Sequence, residues 1–411
     1  MSEEALSGLK VLEFTQGMAG PWIGRMLAWC GADVIRIETR QAPGVVRLYI
    51  PPWDRESGVQ PSLSPWFTDW DGGKLFVSLN LKRPGGVELA KGLVNWSEIV
   101  IENHRHGAMD RLGLGWDVLE QIKPSLIGLH SSGFGDGGQH PEYVTWGPNI
   151  EAMSGLASSS GFKNRGGAMT QYAYPDSLSA LHGLFAVLCA LDHRNRTGEG
   201  QRIALAQFEA TVAMIGPLVM QQLAEGQSSV LMGNASLHRA PQGCYPCRGE
   251  DRWCVMSIES EAQWSSLCAL LERPDWTHDP RFHSPAQRFQ NSEEIDQALS
   301  RWTRERTPHE ATEILQAAGI TAGAVQNTED QYRRDPHLEE RQFFESIHHL
   351  VKGTVVATGI PLGLTGTPGH TRRAGAGMGE DNRHVFRDLL KLSESEYADH
   401  VEAGAIEEEL S

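Results

Sequence analysis

The sequence predicts an α/β fold: a large domain built on a doubly wound, mainly parallel sheet, and a second, smaller α+β domain. Three observations carry that prediction. At 411 residues the chain exceeds what one hydrophobic core normally holds. Its first half alternates short β-branched runs with helical stretches, the pattern of βα units in a Rossmann-like sheet. After Glu209 the alternation stops, and a stretch rich in Gly, Ser and Asn, Gly226 to Ser236, reads as a linker. The expected division is 1–225 for the first part of the large domain, 226–330 for the linker and small domain, and 331–411 for a return to the large domain and a C-terminal tail.

Taken in order, Val11 to Phe14 is a strand, and Pro21 opens a helix through Met26 and Leu27 that Gly31 stops. Val34 to Ile37 is the next strand. Val87 to Trp96 is a helix feeding the strand Ile99 to Ile101, and Leu126 to Leu129 is a strand after Pro124. A long, mostly apolar helix covers Leu178 to Leu191, and Arg202 to Ala210 passes from strand to helix. In the smaller domain Cys254 to Ile258 is a strand before a helix around Trp264 to Leu271, and Ser300 to Trp302 and Pro308 to Ala318 continue the α+β unit. From about Asp335 the chain turns basic and β-rich through Val355 to Ala357. Pro361 to Gly379 reads as an extended surface crossing, and Glu407 to Glu409 as a solvated tail.

Composition excludes several classes of function. With 40% hydrophobic and 21% charged residues the chain reads as an ordinary globular protein, and a net charge of −16 argues against nucleic acid as a partner. The acidic start Met1-Ser2-Glu3-Glu4 is unlike a signal peptide, and no apolar run approaches bilayer length, so a cytoplasmic location is expected. Six scattered cysteines do not make a disulfide scaffold, and Cys244-x-x-Cys247, with no second pair or nearby His cluster, reads as reduced structural thiols rather than a metal site. Gly133 to Gly138 satisfies G-x-G-x-x-G, but Gln139-His140-Pro141-Glu142 does not open the helix that would hold a pyrophosphate, so the stretch is a turn. None of the sixteen histidines announces a hydrolase triad.

Asp176 stands in Tyr174-Pro175-Asp176-Ser177, directly before the long apolar helix, which closes on Arg194-Asn195-Arg196-Thr197-Gly198-Glu199-Gly200-Gln201. A carboxylate at a helix start is ordinarily an N-cap that accepts orphan backbone N–H groups. The wider order gives it a second reading. A carboxylate, a helix with small residues (Ala180, Gly183, Ala186, Ala190), Arg-x-x-Thr-Gly-x-Gly-Gln and the strand-to-helix stretch Arg202 to Ala210 together resemble the signature of the family III CoA-transferases, the group of formyl-CoA, carnitine and benzylsuccinate CoA-transferases. Further blocks are similar to that family: Leu12 to Thr15 with Ala19-Gly20-Pro21 and Gly31 to Glu38, Lys74 to Lys82 with Pro84-Gly85-Gly86, and Glu102-Asn103 with Gly107 to Gly113. Near the C-terminus Asp335 to Leu338, Arg341 to Phe344 and Gly379 to Asn382 continue the likeness.

The resemblance implies a cytoplasmic enzyme that transfers coenzyme A between carboxylic acids, with Asp176 as catalytic nucleophile through an aspartyl-CoA thioester. It also implies a CoA site lined by Gln16, Met18, Ala19, Thr39, Asn103, His104 and Arg111. Relatives can carry His where Gln16 stands and Arg where Thr39 stands, so Arg40 or Arg36 is the substitute source of charge. An Asp, with an ordinary pKa of about 3.9, is fully ionised at neutral pH, and exchange of one thioester for another needs neither ATP nor a metal. The helix-start N–H groups at Asp176 are expected to stabilise developing negative charge. The context of Trp146 to Gly155 and of Tyr174-Pro175-Asp176 resembles the benzylsuccinate-type members, which points to a substituted succinate as acceptor and succinyl-CoA as donor. Family members form interlocked dimers, so a homodimer, or a hetero-oligomer with a related subunit, is implied. Two alternatives remain at this point: an α-methylacyl-CoA racemase-like isomerase, and a non-catalytic subunit of a hetero-oligomeric transferase. Against the first, racemases of this fold carry a His-Asp pair where this chain has Trp146-Gly147, and neither of those takes a proton from carbon.

Overall fold

The computed structural model describes residues 4–49, 64–226, 231–236 and 238–408. Met1 to Glu3, the linker residues Gln227 to Val230, and Glu409 lie outside the described residues. The chain divides into two compact units, Met1–Ser158 with Met169–Ser228 and Leu338–Ser411, and Ser159–Ala168 with Ser229–His337. Ser159–Ala168, which the sequence leaves inside 1–225, thus groups with the second unit.

The chain begins β1 (Lys10–Phe14), α1 (Ala19–Trp29), β2 (Asp33–Glu38), α2 (Pro65–Trp70), β3 (Leu75–Ser78), α3 (Gly86–Trp96) and β4 (Ile99–Glu102). It continues through α4 (Ala108–Arg111), α5 (Trp116–Ile122), β5 (Ile127–Ser132), α6 (Gly147–Met153) and α7 (Leu156–Ser159). A small hairpin, β6 (Gly161–Phe162) and β7 (Gly166–Gly167), precedes α8 (Tyr174–Thr197), β8 (Gln201–Ala206), α9 (Gln207–Met214) and α10 (Gly216–Glu225). Six strands form one parallel sheet in the order β3-β2-β1-β4-β5-β8. The winding reverses between β1 and β4, as in a doubly wound fold, and at such a reversal the carboxyl ends of the strands open a crevice.

Both faces of this sheet are buried, which is why its strands read as continuous apolar runs rather than alternating ones. One face packs Leu12, Ile35, Val77 and Val100 against Leu89 and Leu93 of α3. The other packs Val11, Val34, Ile99 and Ile127 against Ile23 and Leu27 of α1 and Ala180 and Val187 of α8. The small residues of α8 explain how closely it sits: a Cβ on Gly183 would lie 2.7 Å from Ile23 Cδ1. Contrary to the sequence expectation, α8, with 24 residues, is long and apolar enough by length and composition to cross a membrane. His182 breaks the unbroken run, but the segment as a whole stays apolar, and its buried residues face α1 and β5.

In the second unit β9 (Gln242–Pro246), β10 (Trp253–Ser257) and β11 (Thr321–Val325) form an antiparallel sheet with β10 central. Around it lie α11 (Glu261–Leu270), α12 (Pro285–Gln290), α13 (Ser292–Arg304), α14 (Pro308–Ala317) and α15 (Thr328–Arg333). Trp264, Trp276, Phe282, Leu299 and Leu315 fill its core. Cys244 lies on β9 with Cys247 just after it, and all six cysteines are free thiols.

The return begins with α16 (Pro336–Glu340), a hairpin of β12 (Phe344–His349) and β13 (Gly353–Thr358), and later α17 (Glu394–Glu402). The expected surface crossing is exposed mainly in its first half; Thr371, Ala374, Ala376 and Met378 are buried. The reason is the edge strand β3, whose backbone needs partners. Asp381 Oδ2 accepts from Phe76 N at 2.8 Å and Asn382 Oδ1 from Ser78 N at 2.9 Å. The expected solvated tail is likewise tied down at Glu407, whose N–H donates to Ser78 O at 3.0 Å. Its carboxylate accepts from Thr39 Oγ1, Arg40 N and Ser78 Oγ at 3.2, 2.6 and 2.8 Å.

Six charged side chains lie buried near the carboxyl half of β1 and β2: Glu13, Arg36, Glu38, Arg47, Asp71 and Lys74. Lys74 Nζ bridges Glu13 and Asp71 at 2.9 and 2.8 Å, Arg36 meets Asp71 at 2.5 Å, and Arg47 meets Glu38 at 2.6 Å. The set is neutral as a whole, which is the condition for burying it.

Candidate active site

The crevice between β1 and β4 is spanned by one side chain. Asn103, just past β4, accepts from Gln16 N and donates to Gln16 O, both at 2.7 Å, so the segments after the two strands are clamped together. Thr39 follows β2, Ser131 and Ser132 end β5, and Gln207 opens α9 directly after β8. Two cavities lie along these strand ends. The smaller, about 580 Å³, is lined by Gln16, Thr39, Lys82, Arg83 and His104 among others. The larger, about 900 Å³, is bounded by Gln16, Met18, Asn103, His104, Gly147 and Asp176. Gln16 and His104 belong to both. Burial lowers the His104 pKa, against the opposing charge of Glu102, so its imidazole is neutral at pH 7.

Asp176 is not an N-cap. The cap position of α8 is Ala173, Pro175 follows within the first turn, and Asp176 lies one residue further on. The first-turn N–H groups are already engaged: Tyr174 N donates to Tyr172 O, and Asp176 N and Ser177 N both donate to Ala173 O. The expected donors to developing charge are therefore occupied. The side chain instead accepts one hydrogen bond, from Gln207 Nε2 at 3.1 Å. Burial pushes the Asp176 carboxyl up to about 6, with the Gln207 hydrogen bond opposing it. Its ionisation is thus harder than that of an exposed Asp. A carboxylate stripped of water and of cationic partners is a stronger nucleophile than a paired one.

Gly147, the first residue of α6, makes room for this carboxylate. A Cβ there would stand 2.5 Å from Asp176 Oδ2 and 2.7 Å from Ala173 Cβ. The remaining wall is aromatic: Tyr49, Trp66, Trp70, Tyr143, Trp146 and Tyr172 all line the larger cavity. Trp66 packs edge-on against Trp70 at 4.7 Å and near Tyr49 at 6.2 Å. Five of the six are substantially exposed, Trp70 being the buried one. Arg105 is the only Arg or Lys along that cavity among the described residues.

Comparison with known proteins decides which chemistry this geometry serves. Residues 6–382 match the family model CoA-transferase family III. The chain belongs to that family. It is an enzyme that transfers CoA, and its substrates are CoA thioesters. The transferase is 29% identical to succinyl-CoA–D-citramalate CoA-transferase of Chloroflexus aurantiacus over 96% of each chain. It is 28% identical to formyl-CoA:oxalate CoA-transferase of Afipia carboxidovorans over 98% of each. A CAIB/BAIF family protein from Brucella suis superposes with a TM-score of 0.86 at 27% identity, covering 95% of this chain and 100% of the other.

In the transferase five of the seven residues expected to line a CoA site, Gln16, Met18, Thr39, Asn103 and His104, border the two cavities. Ala19 is packed away at the start of α1, and Arg111, at the end of α4, borders neither cavity. The substitute cations behave differently from expectation. Arg36 is buried and held by Asp71, and Arg40 Nη2 donates to Met378 O at 2.9 Å. Lys82 and Arg83, exposed at the smaller cavity and in no ion pair among the described residues, are the cations within reach of a polyanion. Sequence reasoning missed them and Gln207, although Lys82 and Gln207 lie in blocks it had singled out; a Lys-Arg pair four residues past a strand was the available signal. Gly147→Ala is expected to lower kcat/KM by about 10–100-fold by displacing the Asp176 carboxylate. Initial rates of CoA transfer, with thermal melts to confirm folding, check this.

Proposed function

We propose that the enzyme moves CoA from succinyl-CoA to a free carboxylic acid bearing an aryl or alkyl substituent, a benzylsuccinate-like acceptor, through an aspartyl-CoA thioester on Asp176. The observation that carries this reading is Asp176 itself: a carboxylate on a spacious cavity, raised to about 6, with Gln207 as its hydrogen-bond donor and no ion-pair partner among the described residues. The likeness to a succinyl-CoA-dependent relative supports the donor. The aromatic wall supports an apolar substituent on the acceptor, and Arg105 is the group to hold a second carboxylate.

In the proposed reaction Asp176 attacks the donor thioester carbonyl and the C–S bond breaks, leaving a mixed anhydride and CoA thiolate. The thiolate attacks the aspartyl carbonyl, releases the donor acid as carboxylate, and leaves the aspartyl-CoA thioester. The acceptor carboxylate then repeats both steps in reverse order and Asp176 is regenerated, with no net proton change. The Gln207 amide, already aimed at the carboxylate, donates to the oxyanion formed on the aspartyl carbon. Gln16, Met18, Thr39, Asn103 and His104 line the path for CoA, and Lys82 and Arg83 face its phosphates. Nothing in this route calls on a metal. A racemase needs a second acid/base opposite Asp176, and the position that would carry it is Trp146-Gly147, where the glycine leaves no room for a side chain. Exposed Leu181 and Phe185 on α8, with Met220 and Leu223 on α10, support a subunit interface, in a homodimer or in a hetero-oligomer with a related subunit.

Incubation with succinyl-CoA alone, followed by hydroxylamine, is expected to place a hydroxamate on the peptide holding Asp176; transfer without any such adduct or donor-acid exchange would sink the covalent route. The nucleophile must be ionised, so kcat/KM is expected to rise through about pH 6 and level above pH 7. Gln207→Leu removes the hydrogen bond that lowers this pKa, so its acid limb is expected at higher pH, together with a lower plateau. A pH–rate profile of both proteins decides it.

A further inference from the structure

We propose that His106, His130 and Asp136 form a binding site for a divalent transition-metal ion of the Zn²⁺ class, separate from the Asp176 cavity. One nitrogen of each histidine and one Asp136 oxygen all lie within 4.8 Å of one another. His130 Nε2 and His106 Nδ1 each stand 3.3 Å from Asp136 Oδ1. Two ligands bonded to one tetrahedral ion at about 2.1 Å are about 3.4 Å apart, so these spacings already suit one.

The histidine that anchors the cluster is oriented by a carboxylate. His130 lies on β5, is 5% exposed, and makes a short hydrogen bond through Nδ1 to Glu102 at the end of β4. When Nδ1–H donates to Glu102, Nε2 carries a lone pair, and Nε2 has no hydrogen-bond partner. A lone pair aimed at a carboxylate oxygen is a repulsive contact that a cation between them turns into two bonds. The arrangement carboxylate–imidazole–ion is the usual way a ligating His is oriented. Arg202 Nη2 holds the other oxygen, Asp136 Oδ2, at 2.6 Å and leaves Oδ1 to the ion. A cavity of about 330 Å³ adjoins it, lined also by Asp110 and Asp117, with room for water as a further ligand. An ion here would join the end of β4 to the turn after β5. Asn103 and His104 lie between Glu102 and His106, and Ser131 to Gly133 lie between His130 and Asp136, so the ion would brace two walls of the larger cavity without entering it.

The test uses the full-length protein, stripped with chelator and titrated with Co²⁺ at pH 7.5, read by calorimetry and by the visible absorption of low-coordinate cobalt. One equivalent is expected to bind, to be displaced by Zn²⁺, and to raise the melting temperature. His106→Ala, at an exposed position that does not threaten folding, is expected to weaken binding by about 100-fold or more, and Glu102→Gln by about 10–100-fold. No saturable binding, or binding that survives both His106→Ala and Asp136→Asn, would overturn the proposal and leave the cluster as a protonated hydrogen-bond network.

Discussion

Asp176→Asn is expected to abolish CoA transfer, by at least about 10³-fold, and at the same time to raise the melting temperature. The loss follows from removing the only group proposed to form the covalent thioester, because an amide oxygen does not displace a thiolate. The gain follows from the environment. The Asp176 carboxyl, ordinarily near 3.8, is pushed up to about 6, so the folded state holds its proton more tightly than the unfolded chain does. Stability from such a group is fully present below the unfolded value and lost as pH rises through the folded one. At pH 7 the wild type therefore bears a penalty on the order of 1–3 kcal/mol that an uncharged Asn avoids. The stabilisation should be visible at pH 7.5 and fade towards pH 4, while Asp176→Ala should lose activity equally. Near-wild-type turnover, or a variant less stable than wild type at pH 7.5, would contradict the assignment of a desolvated nucleophile.

Lys74→Met is expected to cost about 3–5 kcal/mol of stability, since it strands Glu13 and half of the charge around Asp71 in a fully buried place. Burial already holds the Glu13 pKa above its ordinary value, although Lys74 and Arg36 pull it down. Without Lys74 that rise becomes larger. A raised folded pKa gives stability at low pH that is lost as pH rises, so the variant should approach wild type near pH 5 and fall furthest below it near pH 8. Urea denaturation at the two pH values measures this, and Glu13→Gln with Lys74→Met should recover a large part of the loss. Asp71 behaves in the opposite sense: burial opposes its ionisation, but Arg36 and Lys74 hold it down at about 2, so its contribution disappears only as pH falls through that value. A Lys74→Met protein as stable as wild type at pH 8 would mean that the six-charge set is not coupled in the way its distances imply.

The outline of the fold was legible because it depends on local rules. β-branched runs such as Ile99 to Ile101, a helix closed by Gly31 at φ +106°, and the failure of Gln139 to Glu142 to open a helix after the Gly133 turn are all decided within a few residues. The tail was misread for the complementary reason. Glu407 looks solvated when only Glu408 and Glu409 are beside it, and it becomes a half-buried acceptor only when Thr39, 368 positions away, is brought to it.

By itself the sequence determined the succession of βα units, the two-part organisation and the carboxylate at the start of α8, because periodicity, turn chemistry and order along the chain are one-dimensional properties. Only the tertiary structure decided what Asp176 is. It is not a cap, because Ala173 takes that place; its pKa is raised, because the fold removes its water; and its partner is Gln207, 31 positions away. The cations along the smaller cavity differ in the same way: Arg36 borders it but is held by Asp71, whereas Lys82 and Arg83 are exposed there and in no ion pair among the described residues. Desolvation, pairing and clearance, such as the 2.5 Å from a Gly147 Cβ to Asp176, are set by distances between segments that the order of residues does not contain.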